Sequence, residues 1–133
     1  MGSRKIVFAG GGTAGHIQPA LAVAQLWRQS HPDDEIVFLG TSSGLETKLV
    51  PEAGFDLELI TRVRVPRSLS LDLLKVPGSL RRSISESKNI LRAADLLIGF
   101  GGYVCAPAYL AARSLKVPIV IHEANAEPGW ANR

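Results

Sequence analysis

One cysteine, Cys105, stands in 133 residues, so no intramolecular disulfide can form and a single thiol argues against a cysteine-based metal cluster. A reducing compartment is the simpler setting. The three histidines, His16, His31 and His122, lack close ligand spacing, which argues against a zinc site. Aromatic residues make up only 6% of the chain, and no dense basic run interleaves with them, so the pattern expected of a nucleic-acid binder is missing. No apolar run approaches the length of a bilayer span, and the first residues reach a strand pattern without the charged-then-apolar order of a secretion signal. The expected location is therefore cytoplasmic. There is no G-x-S-x-G elbow and no Lys-Ser or Lys-Thr pair behind a glycine loop, so hydrolase and Walker-type chemistry find little support.

What is present is an ordinary globular composition, 46% hydrophobic and 20% charged. A chain of this length should form one domain, residues 1–133, with roughly two-thirds of its unfolded surface buried. Fifteen Lys and Arg against twelve Asp and Glu leave a formal charge of +3, a mild excess that suits an anionic ligand or a lipid surface without identifying either.

Short β-rich runs alternate with helical patterns, the grammar of a Rossmann-like α/β fold: an open parallel sheet with helices on both faces. Strands are expected at Lys5–Ala9, Glu35–Leu39, Phe55–Thr61, Asp95–Gly99 and Val117–Ile121, the third in an outer position. Helices are expected from about Ile17 or Pro19 to Gln29, with Pro19 in a first turn, then at Leu45–Glu52, Ser79–Ala94 and Pro107–Leu115. Gly54 closes the second of these. In such a sheet the loops after strands one, two, four and five share the carboxyl edge, where ligands bind in open α/β folds.

Gly10-Gly11-Gly12-Thr13-Ala14-Gly15-His16 lies between the first strand and the first helix. Consecutive glycines admit positive φ and keep no side chain between an anion and the main-chain N–H groups, and the helix that follows adds its positive dipole end. A phosphate or diphosphate site is the expectation. Gly10, Gly12 and Gly15 also satisfy G-x-G-x-x-G, but the acid that would hold a nicotinamide ribose at the end of strand two is replaced by Leu39-Gly40-Thr41. A tight strand-to-helix turn with no ligand is the plainer alternative.

His16 can act as a neutral base beside that turn, or can simply pack at a helix start. His122, Glu123 and Asn125 follow strand five, where they could meet a sugar hydroxyl or stabilise a turn. A second glycine loop, Gly99-Phe100-Gly101-Gly102-Tyr103, follows strand four. Cys105 reads as a packed thiol rather than a nucleophile. Leu69, Leu71, Leu73, Leu74, Val76 and Leu80 lie among Arg62, Arg64, Arg67, Lys75, Arg81 and Arg82. That apolar surface bordered by cations either rests on anionic head groups or sends its leucines into the core.

Gly11-Gly12-Thr13-Ala14-Gly15-His16 with Pro19-Ala20-Leu21-Ala22-Val23-Ala24, then Gly99-Phe100-Gly101-Gly102-Tyr103, then His122-Glu123-Ala124-Asn125, resemble in order and spacing the MurG family of peptidoglycan glycosyltransferases. The resemblance covers nearly the whole chain. The family pattern has glycine where Ala14 stands and glutamine where Ala124 stands. The resemblance implies one half of a two-Rossmann-domain GT-B enzyme, the amino-terminal acceptor domain, with the donor-binding domain absent from this chain. It implies inverting transfer of N-acetylglucosamine from UDP-N-acetylglucosamine to the muramoyl sugar of undecaprenyl-diphospho-muramoyl-pentapeptide, with no cofactor and no catalytic metal.

On that resemblance, Gly11, Gly12, Thr13, Ala14, Gly15, Gly101, Gly102 and Tyr103 would bind the acceptor diphosphate, and His16 would be the base. His122, Glu123 and Asn125 would position substrate. Leu69, Leu71, Leu73, Leu74, Lys75, Arg81 and Arg82 would touch the inner face of the cell membrane, making the protein peripheral there. The isolated piece is expected to be nearly inactive. A stand-alone diphosphate-lipid or nucleotide-binding module, working with a separate catalytic subunit, is the alternative.

Overall fold

The computed structural model describes residues 3–62, 76–102 and 104–122. Five strands, β1 (Lys5–Ala9), β2 (Glu35–Gly40), β3 (Asp56–Leu59), β4 (Leu96–Gly99) and β5 (Ile119–Ile121), alternate with four helices, α1 (Ala14–Ser30), α2 (Glu46–Glu52), α3 (Val76–Leu91) and α4 (Cys105–Leu115). The sheet order is β3-β2-β1-β4-β5, and every neighbouring pair is parallel. The expected open parallel sheet is thus observed, with β3 on an edge.

β1 is central because four of its five residues are buried, Ile6 and Phe8 towards one face and Val7 and Ala9 towards the other. Alternate side chains of a strand leave opposite faces, so a run that is apolar throughout requires cover on both. Ile6 and Phe8 join Ile36, Phe38, Ile98 and Phe100 beneath Ile17, Leu21 and Ala24 of α1 and Val50 of α2. Val7 and Ala9 join Leu39 and Leu97 against Leu91 of α3 and Ala108, Ala111 and Ala112 of α4. Phe8 stacks between Phe38 and Phe100, with ring centroids 5.2 and 6.1 Å away.

β2, β4 and α2 differ from expectation by one residue, β3 is Asp56–Leu59 rather than Phe55–Thr61, α4 begins at Cys105 rather than Pro107, and three further boundaries also differ. Helix α1 starts at Ala14, so Pro19 lies inside the helix rather than in its first turn. The carbonyl of Thr13 receives the N–H groups of both His16 and Ile17, and burial of Ile17 anchors that early turn on the core. Packing outweighs the missing proline N–H. Helix α3 spans Val76–Leu91, earlier than Ser79–Ala94 at both ends; Ala93 takes the left-handed conformation at φ 63°, which a continuing helix cannot contain. β5 is shorter than Val117–Ile121 and begins at Ile119. The Gly54 closure is as expected: φ is +84°, and its N–H reaches the Pro51 carbonyl.

Candidate functional site

The carboxyl ends of β1 and β4 deliver the two glycine loops to one place. Phe100 N–H donates to the carbonyl of Ala9 at 2.8 Å, which extends the β1–β4 ladder past the strands and brings the loops together. Gly101 and Gly102 then adopt φ +104° and +98°, a region where a Cβ is strained. Space is equally restrictive. A Cβ on Gly102 would stand 2.6 Å from the Gly11 carbonyl oxygen, and one on Gly101 would stand 3.0 Å from His16 Cδ2 and 3.1 Å from its Nε2. Both glycines are needed for the second loop to close over the first.

His16 is the third residue of α1 and is half-buried between these loops. Its Nδ1 lies 3.2 Å from the Gly11 carbonyl oxygen and 3.4 Å from Thr13 Oγ1. A carbonyl can only accept, so this hydrogen bond puts the proton on Nδ1 and leaves the Nε2 lone pair facing the second loop. The ring is oriented as a general base requires. Thr13 is extended at the start of α1 but contributes no side-chain cap, and the first turn holds no acidic residue. Among the described residues, no side chain caps the positive end of α1. Ala14, where glycine is the family pattern, is simply the first helical residue.

His122 lies just beyond β5, its N–H on the Gly99 carbonyl at 2.8 Å. Its ring packs on Phe100 with centroids 5.2 Å apart, so it flanks the second loop. Gly11, Gly12, His16, Gly101, Gly102 and His122 thus gather at one edge of the sheet. Arg81 and Arg82 are exposed near the start of α3, beside half-buried Leu80 and Ile84. Tyr103, Glu123, Asn125, Leu69, Leu71, Leu73, Leu74 and Lys75 lie outside the described residues.

A second group was not expected from the sequence. A pocket opens between the first glycine loop and the β2–α2 connection, lined by Gly11, Gly12, Thr41, Ser43, Gly44, Glu46, Arg62 and Val104. At its floor is Glu46, only 1% exposed. Its Oε2 accepts the Gly12 N–H at 2.9 Å, and its Oε1 accepts from the hydroxyl and N–H of Thr41 at 3.3 and 3.4 Å. The Gly12 N–H is therefore engaged by the protein's own carboxylate. Gly12 faces open space, a Cβ built there meeting nothing within 4 Å, and its φ of +87° is what favours glycine. This carboxylate comes from the start of α2 and is engaged by Gly12 and Thr41, so it does not replace the ribose-holding acid missing from the end of β2. The sequence clue was the polar run Thr41-Ser42-Ser43-Gly44, which hands the chain from β2 to Glu46.

Residues 6–133 match the Glycosyltransferase family 28 N-terminal domain. The chain is 60% identical over 130 residues to the UDP-N-acetylglucosamine–N-acetylmuramyl-(pentapeptide) pyrophosphoryl-undecaprenol N-acetylglucosamine transferase of Corynebacterium jeikeium, covering 96% of this chain and 35% of that protein. It is 57% identical over 130 residues to the protein of the same description from Streptomyces avermitilis, covering 96% and 36%. The crystal structure of Acinetobacter baumannii MurG superposes with a TM-score of 0.79 at 31% identity, over 96% of this chain and 36% of that one. Phytolacca americana UGT2 shares the fold at 18% identity, with a TM-score of 0.61 over 92% of this chain and 31% of that one. The chain thus spans about a third of the length of the curated relatives it matches.

Proposed function

Because the chain belongs to glycosyltransferase family 28 through its amino-terminal domain, we propose that it forms the acceptor half of an enzyme that transfers N-acetylglucosamine from UDP-N-acetylglucosamine to the muramoyl sugar of a lipid-linked diphospho-muramoyl-pentapeptide. The donor nucleotide sugar would be held mainly by a second domain outside this chain. One observation carries the mechanism: an imidazole clamped through Nδ1 to the Gly11 carbonyl, with Nε2 turned to Gly101 at the junction of the two glycine loops.

In this reading Nε2 takes the proton of the attacking muramoyl hydroxyl. The hydroxyl oxygen forms its bond to the anomeric carbon of N-acetylglucosamine as the bond to the diphosphate oxygen of UDP breaks, with inversion and release of UDP. The uncapped start of α1 and the open edge at Gly12, Gly101 and Gly102 would receive the acceptor diphosphate. His122 flanks that path, and Glu123, Asn125 and Tyr103 complete it on the family resemblance. Exposed Arg81 and Arg82 would face anionic head groups with the leucine-rich stretch before them. No described helix is long and apolar enough to cross a membrane, so the contact would be made at the surface.

The test is His16→Ala in the full-length protein. Turnover should fall by about 100-fold or more, the range that a positioned base supplies, with little change in melting temperature. Unchanged turnover would remove His16 as the base. The 133-residue chain alone should show almost no transfer, and transfer by it at the full-length rate would favour a self-sufficient module instead.

A further inference from the structure

Glu46 and His16 meet opposite ends of one peptide group. The Gly12 N–H donates to Glu46 Oε2 at 2.9 Å, while the Gly11 carbonyl of the same peptide accepts from His16 Nδ1 at 3.2 Å. None of the described peptide bonds is cis, so this N–H and C=O point in opposite directions and the peptide lies between the two side chains. The geometry points to Glu46 as a positioning residue whose carboxylate acts on His16 through the Gly11–Gly12 peptide.

The physical sequence is short. A negative charge at the N–H end polarises the amide and draws electron density onto its carbonyl oxygen, as in any chain of hydrogen bonds in a poorly screened site. That oxygen then holds Nδ1–H more firmly. It also stabilises the positive charge that forms on the ring when Nε2 accepts a proton. The logic is that of a buried carboxylate orienting a catalytic histidine, with a peptide interposed.

The surroundings are built for this carboxylate. A Cβ at Gly11, Gly40 or Gly44 would collide with the Glu46 side chain, so a glycine in the first loop, one at the end of β2 and one in the connection to α2 clear its place. Gly12 N–H and Thr41 N–H can only donate, and they address both oxygens, the arrangement that suits a carboxylate. Arg62 lines the same pocket, but its guanidinium donates to Ser43 Oγ at 3.1 Å, and among the described residues it forms no ion pair with Glu46. Among the described residues, those around the imidazole are Thr13, Gly101 and Gly102, none of them charged; His122 stands off against Phe100. Glu46 is therefore, among the described residues, the acidic group placed to act on His16.

This inference rests on His16 being the base, and its test separates the two. In the isotopically labelled full-length protein, the His16 ring should be in the Nδ1–H tautomer, with a Nδ1-bound proton resonance far downfield. Glu46→Gln keeps the size of the side chain and one acceptor oxygen but removes the charge. It should move that resonance upfield and lower kcat by about tenfold, a part of what the base supplies, with KM for the acceptor unchanged. Thr41→Val removes a neutral partner of the carboxylate and should leave the resonance in place.

An unmoved resonance in Glu46→Gln would overturn the link, as would an equal shift in Thr41→Val, or a raised KM at constant kcat. Should Glu46→Gln fail to fold, the wild-type tautomer still decides, because an Nε2–H ring cannot donate to Gly11 and would sink the proposal. Full turnover in His16→Ala would instead defeat the base assignment, whatever the resonance shows.

Discussion

Cys105 shows how a single residue's environment sets its chemistry. Its side chain is buried beneath the second glycine loop, with Sγ 3.3 Å from the carbonyl oxygens of both Ala9 and Gly101. Burial pushes the thiol above its ordinary value of 9.0, with hydrogen bonding to Tyr109 and to the Gly101 and Phe100 backbone acting in the opposite direction. The thiolate is thus scarce at neutral pH, and the thiol serves as a packed donor under the loop. Iodoacetamide at pH 8 should leave Cys105 unmodified in the native protein over minutes and label it fully in denaturant. Rapid native labelling would contradict this burial. The packed role was legible from the small apolar residues around Cys105. Glu46 was not legible, because an acid was sought at the end of β2 and the carboxylate instead reaches Gly12 from α2, a contact only the folded loops create. His16 was legible as a candidate because it sits beside a glycine cluster, but its tautomer needed the Gly11 carbonyl.

Elements were read more reliably than their ends. All five strands and four helices were present in the pattern, because apolar runs such as Ile6–Ala9 and Ile36–Leu39 have no stable place except between two covered faces. Boundaries failed where tertiary contacts decided them, as at the start of α1, where buried Ile17 draws Ala14 and Gly15 into the helix despite Pro19. Helix α3 carries the clearest element-level consequence. Ser83 and Glu86 on one side hold Thr61 just beyond β3, the former through the Thr61 carbonyl and the latter through its N–H and hydroxyl. Arg81 and Arg82 are exposed, and Arg81 lines a shallow groove with Pro77, Leu80, Ile84, Ser85 and Lys88. If this face meets head groups, Arg81→Glu with Arg82→Glu should weaken sedimentation of the full-length protein with anionic vesicles by roughly tenfold or more, since each cation near such a surface contributes about 1 kcal/mol. The melting temperature should hardly change. Undiminished vesicle binding would place the membrane contact on another part of the protein.

At the scale of the whole molecule, the parallel sheet separates two tasks between its two edges. The carboxyl edge carries open glycine loops and a helix start without a side-chain cap, features that favour a ligand over the stability of the chain. The amino edge is tied down. Asp34 accepts from Trp27 Nε1 at 2.9 Å, from Arg4 N–H at 3.0 Å and from Arg4 Nε at 3.1 Å, joining the entry to β1, the end of α1 and the turn before β2. Nearby, the Lys5 N–H donates to Asp95 and the Lys5 ammonium to the Ile90 carbonyl, so β1 is also fastened to the end of α3 and the entry to β4. The Trp27 hydrogen bond, followed by the Arg4 backbone hydrogen bond, holds the Asp34 carboxyl below its ordinary value of 3.8. A carboxylate whose folded value is lowered stabilises the fold at pH above its unfolded value, and that contribution disappears as pH falls through the folded value. Asp34→Asn should therefore be less stable than wild type in urea melts at pH 7, and the gap should narrow steadily below about pH 4. Because the cluster lies at the edge away from His16, the kcat of the full-length Asp34→Asn enzyme at pH 7 should match wild type at temperatures where both are folded. A stability gap that stays constant into acid would deny Asp34 its charged role, and a lowered kcat in the folded variant would show that the two edges are coupled through β1.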